Sequence, residues 1–389
     1  MRLSVMRERQ PGEFRVALTP ANVSSLASMG CQIFVETGAG DAAGFPDTSY
    51  RDAGAEILDT RKQLLKEGEI ILCVDAARAE TMADLEPGHI CIGMMDPLSH
   101  PERFLELARR DITSLALELV PRISRAQSMD ALSSIASLAG YKAVLLAACQ
   151  APRLFPMMMT AAGTLNPSRV FIMGAGVAGL QAAATAKRLG GVVEAYDVRP
   201  AAREQIVSVG AKPIELDLDT SGSENTGGYA SEQSDDFLRR QREQMAAVLA
   251  QQDVVITTAA IPGAKAPVLI TEDMIKGMKN GAVIVDLAAE RGGNCELSRP
   301  GETVRAHGVT IIGPINIAAT LPHHASQMYG RNMENLLRHL LDDEGQLALD
   351  FEDEILAETV ITHAGKIRAA RILERLPAAS AALHEEEMA

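Results

Sequence analysis

The stretch Arg169-Val-Phe-Ile-Met-Gly-Ala-Gly-Val-Ala-Gly-Leu-Gln-Ala-Ala-Ala-Thr-Ala-Lys-Arg-Leu-Gly190, continued by Val192-Val-Glu-Ala-Tyr-Asp197, decides the fold. An apolar β run ends at Gly174, Gly176 and Gly179, a helix-forming segment follows, and a second β run ends in an acid. Strand, glycine turn, helix and strand form one βαβ unit, with the acid about 20 residues beyond the turn. Gly174 permits the tight turn, Gly176 lets the backbone approach a pyrophosphate, and Gly179 lets the helix pack close to the strand. The helix start at Val177 and Ala178 offers unpaired N–H groups and the positive end of the dipole to the phosphates. Asp197 is expected to accept hydrogen bonds from the adenosine ribose and to repel a 2′-phosphate, which favours NAD over NADP. Arg199, two residues on, weakens that preference. The competing reading is a glycine-rich turn in an ordinary α/β unit.

Working outward, β and α patterns alternate along the whole chain, which predicts an α/β protein with mostly parallel sheets. Strands are expected at 2–6, 31–37, 70–74, 89–95 and 112–120, and in a second block at 170–173, 192–196, 254–258, 282–287 and 310–313. Helical periodicity is clear over 100–110, where Phe104, Leu105, Leu107 and Ala108 share one face. Long helices over about 131–151 and 325–341 are expected to join two Rossmann-like domains. The first comprises 1–132 with 325–389; the second comprises 133–324 and carries the glycine fingerprint. A polar, Gly/Ser-rich segment, 217–234, reads as a lid over a ligand or as a disordered loop, with Gly228 and Tyr229 at its centre. The other glycine-rich turn, Gly38 to Gly44, has its third glycine one position late and is blocked by Phe45-Pro46, so it reads as structural.

Composition excludes several function classes. The 389 residues suffice for two or three domains. A net charge of −14 disfavours nucleic acid and anionic membrane as partners. Five cysteines, at 31, 73, 91, 149 and 295, follow no metal-finger or disulfide spacing and suit a reducing cytoplasm. His323 and His324 are adjacent, cannot share a helix face, and are not expected to hold a metal. The N-terminus reads as a strand rather than a signal sequence, and no apolar run reaches ~18 uninterrupted residues, so no direct membrane insertion is expected.

The segment Pro121-Arg-Ile-Ser-Arg-Ala-Gln-Ser-Met-Asp-Ala-Leu-Ser-Ser134 adds more than the fingerprint alone. With Phe155-Pro-Met-Met-Met-Thr-Ala-Ala-Gly-Thr164, Ile256-Thr-Thr-Ala259, Pro267-Val-Leu-Ile270 and Gly292-Gly-Asn-Cys295, it resembles the NAD(H)-binding component of proton-translocating nicotinamide nucleotide transhydrogenase. Pro11-Gly-Glu-Phe-Arg-Val-Ala-Leu-Thr-Pro20 is shared with the related alanine dehydrogenases. The resemblance implies a homodimer of two-domain protomers, NAD(H) held by this chain, and NADP(H) held by a partner β subunit. It implies direct hydride transfer between NADH and NADP⁺, active only with that partner and coupled to proton translocation by a membrane-spanning component. It further implies the soluble leading portion of a split α subunit, cytoplasmic and peripheral on the inner membrane through its partners.

Residue by residue, the resemblance places Arg122, Asp130 and Ser133 around the nicotinamide half of the cofactor and Gln127 toward the second nucleotide. Val198, Thr258, Ala259, Leu287 and Asn316 join the fingerprint residues in cofactor binding, and Tyr229 with Gly228 belongs to a closing flap. Read without it, 122–130 is a solvated, salt-bridged loop and Asn316 a plain turn. Alanine dehydrogenase chemistry needs a lysine near residue 73 and a histidine near residue 94, where this chain has Cys73 and Met94. A non-catalytic NAD(H)-binding module is the third reading.

Overall fold

The computed structural model describes residues 1–77, 79–218, 234–261, 263–342 and 346–376. The chain forms two compact units, Met1–Ile135 with the chain from Ala319 onward, and Ala136–Ala318. The outgoing crossover lies inside the helix Ala131–Gln150, and the return lies in the 3₁₀ turn Ile317–Thr320, just ahead of the helix Pro322–His339.

In chain order the first unit contributes β1 (Arg2–Val5), β2 (Gln32–Glu36), β3 (Glu56–Leu58), β4 (Ile70–Asp75), β5 (Ile90–Met94) and β6 (Thr113–Ala116). The second contributes β7 (Met158–Thr160), β8 (Gly163–Leu165), β9 (Arg169–Met173), β10 (Val192–Tyr196), β11 (Lys212–Pro213), β12 (Val254–Thr257), β13 (Val283–Asp286), β14 (Thr303–Ala306) and β15 (Val309–Ile312). The returning chain adds β16 (Val360–His363) and β17 (Lys366–Ile367) to the first.

The first sheet runs β3-β2-β1-β4-β5-β6-β16-β17. It is parallel as far as β6, where β16 joins antiparallel. The second runs β11-β10-β9-β12-β13-β15-β14, parallel except for the β14–β15 hairpin. Each unit therefore has the doubly wound order 3-2-1-4-5-6, with its switch point beside its first parallel strand, plus antiparallel additions at the far edge. Parallel strands are covered on both faces and read as continuous apolar runs. Accordingly Val170, Phe171 and Ile172 of β9 are all fully buried, as are Ile70, Ile71 and Leu72 of β4, or nearly so.

The expected strand over 112–120 stops at Ala116 and continues as the 3₁₀ turn Leu117–Leu119. Its apolar residues stay buried there, so hydrophobicity alone did not reveal the change of backbone. One helix bears on the membrane expectation. Ala131–Gln150 is a single helix of 20 residues, long and apolar enough by length and composition to cross a bilayer. Lys142 interrupts the apolar run in sequence without interrupting the helix. Ala143, Val144 and Ala147 of this helix pack into the core of the second unit, while Tyr141 and Cys149 are exposed.

Candidate functional site

In the second unit the fingerprint forms the carboxyl end of β9, beside the switch point between β9 and β12. Gly174 has φ +100°, a conformation that L side chains rarely adopt. A Cβ on it would stand 2.6 Å from Thr258 Oγ1, and one on Gly179 would stand 1.8 Å from the Gly174 carbonyl oxygen. Around Gly176, by contrast, a Cβ would meet nothing within 4 Å. The first and third glycines thus close protein against protein, and the second faces open space. That is the division of labour a pyrophosphate site needs.

The helix Val177–Arg188 starts at Gly176 with no side-chain cap, and the first-turn N–H groups of a helix lack intrahelical partners and suit an anion. Thr258 donates its hydroxyl to the Gly174 carbonyl at 3.0 Å and thereby locks the turn to the end of β12. The backbone N–H of Leu287 bonds the Thr257 carbonyl at 3.0 Å, which sets the end of β13 level with that of β12.

Asp197 directly follows β10, with its side chain only 8% exposed. Its Oδ2 accepts the Ala175 N–H at 2.7 Å, which ties the acid to the glycine turn. The Arg199 N–H bonds Oδ1 at 2.9 Å, and the Arg199 guanidinium adds Nε to Oδ1 at 2.9 Å and Nη2 to Oδ2 at 3.0 Å. The sequence reading expects a ribose opposite Asp197; the fold shows a bidentate arginine already on both of its oxygens. Val198 follows Asp197, half-buried against the apolar layer of Phe171 and Tyr196.

Asn294, quoted above only within a motif, holds the loop after β12. Fully buried, it accepts the Ala259 N–H at 3.0 Å and donates to the Ala259 and Pro267 carbonyls at 2.8 and 2.9 Å. Asp286 is equally buried, and accepts from Thr257 Oγ1 and from the N–H groups of Ala288 and Cys295. Asn316 has φ +40°, the left-handed region that asparagine tolerates, and its N–H bonds Glu290 at 3.1 Å. It is a turn residue by geometry. Gly228 and Tyr229 lie outside the described residues.

In the first unit the loop 121–130 follows the sheet and carries Arg122, Gln127 and Asp130, with Ser133 just beyond. It turns through the 3₁₀ segment Ser124–Met129, with Ala126 and Met129 buried and Arg122 and Gln127 exposed. The carboxylate of Asp130 caps the following helix, accepting the Ser133 N–H at 2.9 Å and the Ser133 hydroxyl at 2.6 Å. The Ser128 carbonyl is held by Asn332 and Asn335 of the helix Pro322–His339 at 2.8 and 3.1 Å. Arg125 pairs with Asp353, which also bonds His339 and the N–H groups of Ile355 and Leu356. Partial burial raises that carboxyl, but those bonds together hold it down to about 2. The loop is therefore anchored along its backbone while two long polar side chains project from it.

Beside β1, β4 and β5 the same unit buries a group of ionisable side chains. Arg15 is closed on Glu13, with Nε to Oε1 at 2.8 Å and Nη2 to Oε2 at 2.6 Å. Burial pushes Glu8 up to about 8, with Glu13 and Asp75 adding repulsion against the Val74 N–H that it accepts. Tyr329 donates to the Cys73 carbonyl at 2.9 Å. Cys73 is 1% exposed, and Cys91 together with burial pushes its thiol well above the ordinary range. His89 sits at the opposite end of β5, with Nε2 at 3.0 Å from the Leu65 carbonyl and Nδ1 accepting from Glu86. The turn Gly38 to Gly44 is packed shut: a Cβ on Gly40 would meet the Phe45 carbonyl at 2.5 Å. His323 stacks on Phe45 there, its Nδ1 2.9 Å from the Ala43 carbonyl.

Residues 4–139 match the family model described as alanine dehydrogenase/PNT, N-terminal domain, and residues 143–370 match the corresponding C-terminal domain. The chain belongs to the alanine dehydrogenase/PNT family. Within that family it is 44% identical over 374 residues to an NAD(P) transhydrogenase subunit alpha chain of Rhodospirillum rubrum, covering 94% of this chain and 97% of that one. The crystal structure of transhydrogenase from Sinorhizobium meliloti superposes with a TM-score of 0.85 at 42% identity, covering 94% of this chain and all of the other. Alanine dehydrogenase of Bacillus subtilis is more distant, 30% identical over 330 residues, covering 83% of this chain and 81% of the relative. The family's transhydrogenase branch is thus where this chain's similarity is greatest among these relatives.

Proposed function

We propose that this chain is the NAD(H)-binding subunit of a proton-translocating NAD(P) transhydrogenase. The observation that carries the reading is the fingerprint turn, closed at Gly174 and Gly179 and open at Gly176, on a chain 44% identical to a transhydrogenase α subunit. Hydride passes directly between two nicotinamides, so the protein's task is to bind, orient and exclude water rather than to supply an acid, base or metal. The helix start at Val177, Ala178 and Gly179 receives the pyrophosphate, Asp197 the adenosine ribose, and Val198, Thr258, Ala259 and Leu287 frame the nucleotide. Arg122, Asp130, Ser133 and Asn316 orient the nicotinamide half, and Gln127 reaches toward NADP(H) on the partner β subunit. Gly228 and Tyr229 also contribute to binding the nucleotide.

A homodimer fits the exposed apolar surface of the second unit. The hairpin β7–β8 is exposed throughout, with Met159 at 75%, and Met157, Met158 and Leu165 beside it. The reading makes the chain a cytoplasmic, peripheral protein that acts only with its NADP(H)-binding partner and a membrane-spanning component.

Alanine dehydrogenase chemistry has no support at the ends of β4 and β5. Cys73 and Met94 stand where a lysine and a histidine would anchor and protonate a keto acid, and Arg15 is occupied by Glu13. A fluorescence titration with NADH tests the binding half of the proposal. Asp197→Ala is expected to weaken NADH by about 1–3 kcal/mol through lost ribose hydrogen bonds. Unchanged affinity in that variant would overturn the placement of the nucleotide.

A further inference from the structure

The Asp197 carboxylate has about four acceptor positions, and all four are taken. Two are main-chain bonds, from Ala175 at 2.7 Å and Arg199 at 2.9 Å, and they fix the carboxylate beneath the glycine turn. The other two belong to a single guanidinium, Arg199 Nε on Oδ1 at 2.9 Å and Nη2 on Oδ2 at 3.0 Å. A fork of this kind supplies one donor to each carboxylate oxygen. A ribose diol presents the same pattern, two neighbouring hydroxyls for two oxygens. Guanidinium and diol therefore compete for one pair of positions.

We infer that Arg199 is a specificity-determining residue of the nucleotide site, a built-in competitor for the ribose diol that also softens the rejection of a 2′-phosphate. The inference rests on the NAD(H) reading above. When the diol takes its two positions the guanidinium must leave them. Its backbone is tethered two residues from Asp197, so its charge stays beside the ribose. There it offsets part of the field of a carboxylate whose side chain is only 8% exposed. With Arg199 present, NADH binds against an existing ion pair and NADPH meets a partly neutralised acid. Without it, the diol meets an open carboxylate and a 2′-phosphate meets the acid's full charge.

The test is equilibrium binding of NADH and NADPH, and of 5′-AMP and 2′,5′-ADP, to the full chain and its Arg199→Gln and Arg199→Lys variants. Melting curves establish that the variants fold. Arg199→Gln is expected to hold or tighten NADH and 5′-AMP and to weaken NADPH and 2′,5′-ADP, widening the preference about tenfold, the scale of one partly screened charge interaction. Arg199→Lys keeps the charge without the fork, and is expected to recover most of the binding of the 2′-phosphorylated pair. A folded Arg199→Gln with an unchanged preference, or with weakened NADH, overturns the inference while leaving the proposed function standing. Failure of the unaltered chain to bind NADH overturns both.

Discussion

A Cβ on Gly140 would stand 2.0 Å from the carbonyl oxygen of Ala178. The helix Ala131–Gln150 thus packs its backbone closely against the first turn of the helix Val177–Arg188, the turn proposed above to receive the pyrophosphate, with a glycine at the contact. In a free helix Gly→Ala stabilises by about 1 kcal/mol. Here the obstacle is main chain, which cannot rotate away, and forcing an extra methyl into a packed site costs about 1–3 kcal/mol. Gly140→Ala is therefore expected to lower the urea midpoint and to weaken NADH. A raised midpoint with intact NADH affinity would show that the helices separate freely.

Asn294 carries three hydrogen bonds from full burial, all to the main chain of the loop after β12. Its replacement by alanine strands the Ala259 N–H and two carbonyls, and leaving a buried polar group unpaired costs about 1–3 kcal/mol. Asn294→Ala is expected to lose about 2–3 kcal/mol of stability in urea unfolding, and to weaken NADH because the loop bearing Thr258 and Ala259 is released. A stability loss without any change in NADH binding would confine Asn294 to folding.

Glu8 gives the first unit a pH dependence. Its carboxyl is raised by burial from 4.5 to about 8. Between those values the folded chain binds more protons than the unfolded one, so stability falls as pH rises from about 4.5 to about 8 and is level outside that window. The slope from this group is at most about 1.4 kcal/mol per pH unit. Glu8→Gln keeps an oxygen for the Val74 N–H and removes the titration. It is expected to flatten the melting temperature against pH and to raise it at pH 8; parallel curves for the two proteins would contradict this.

Gln127 is exposed on a loop whose backbone is pinned elsewhere, by Asn332 and Asn335 on Ser128 and by the Asp130 cap. Shortening it to asparagine removes reach without disturbing the anchors. Gln127→Asn is expected to slow hydride transfer in the assembled complex about tenfold, the cost of misplacing reactants that must be held in contact, with NADH affinity within a few-fold. A large affinity loss with an intact rate would reassign the residue to ordinary nucleotide binding.

The glycine fingerprint was legible because each glycine answers a local steric demand, and the sequence order of strand, turn and helix supplies the context. The 121–130 loop was legible as a unit through family resemblance, but the role of Asp130 as the cap of its own helix required coordinates. Gly140 was invisible: a single glycine in a helical run does not announce which backbone it touches. The Asp197–Arg199 fork was likewise hidden, since two residues i and i+2 meet only where the chain turns sharply after β10. The three-residue β3 and the edge strand β14, with its alternately exposed Thr303 and Arg305, are too short or too polar for periodicity to mark. The helix Ala131–Gln150 was legible to within a residue, because its long, largely apolar stretch leaves no other regular structure to adopt.

The most direct measurement mixes the purified chain with the NADP(H)-binding component of a transhydrogenase and follows NADH-dependent reduction of acetylpyridine adenine dinucleotide in the presence of NADP(H). Parallel samples contain the chain alone, and the chain with pyruvate and ammonium. Turnover is predicted only when both components are present, with none on pyruvate. Pyruvate-dependent NADH oxidation by the chain alone, or NADH binding with no turnover in any mixture, would contradict the transhydrogenase assignment.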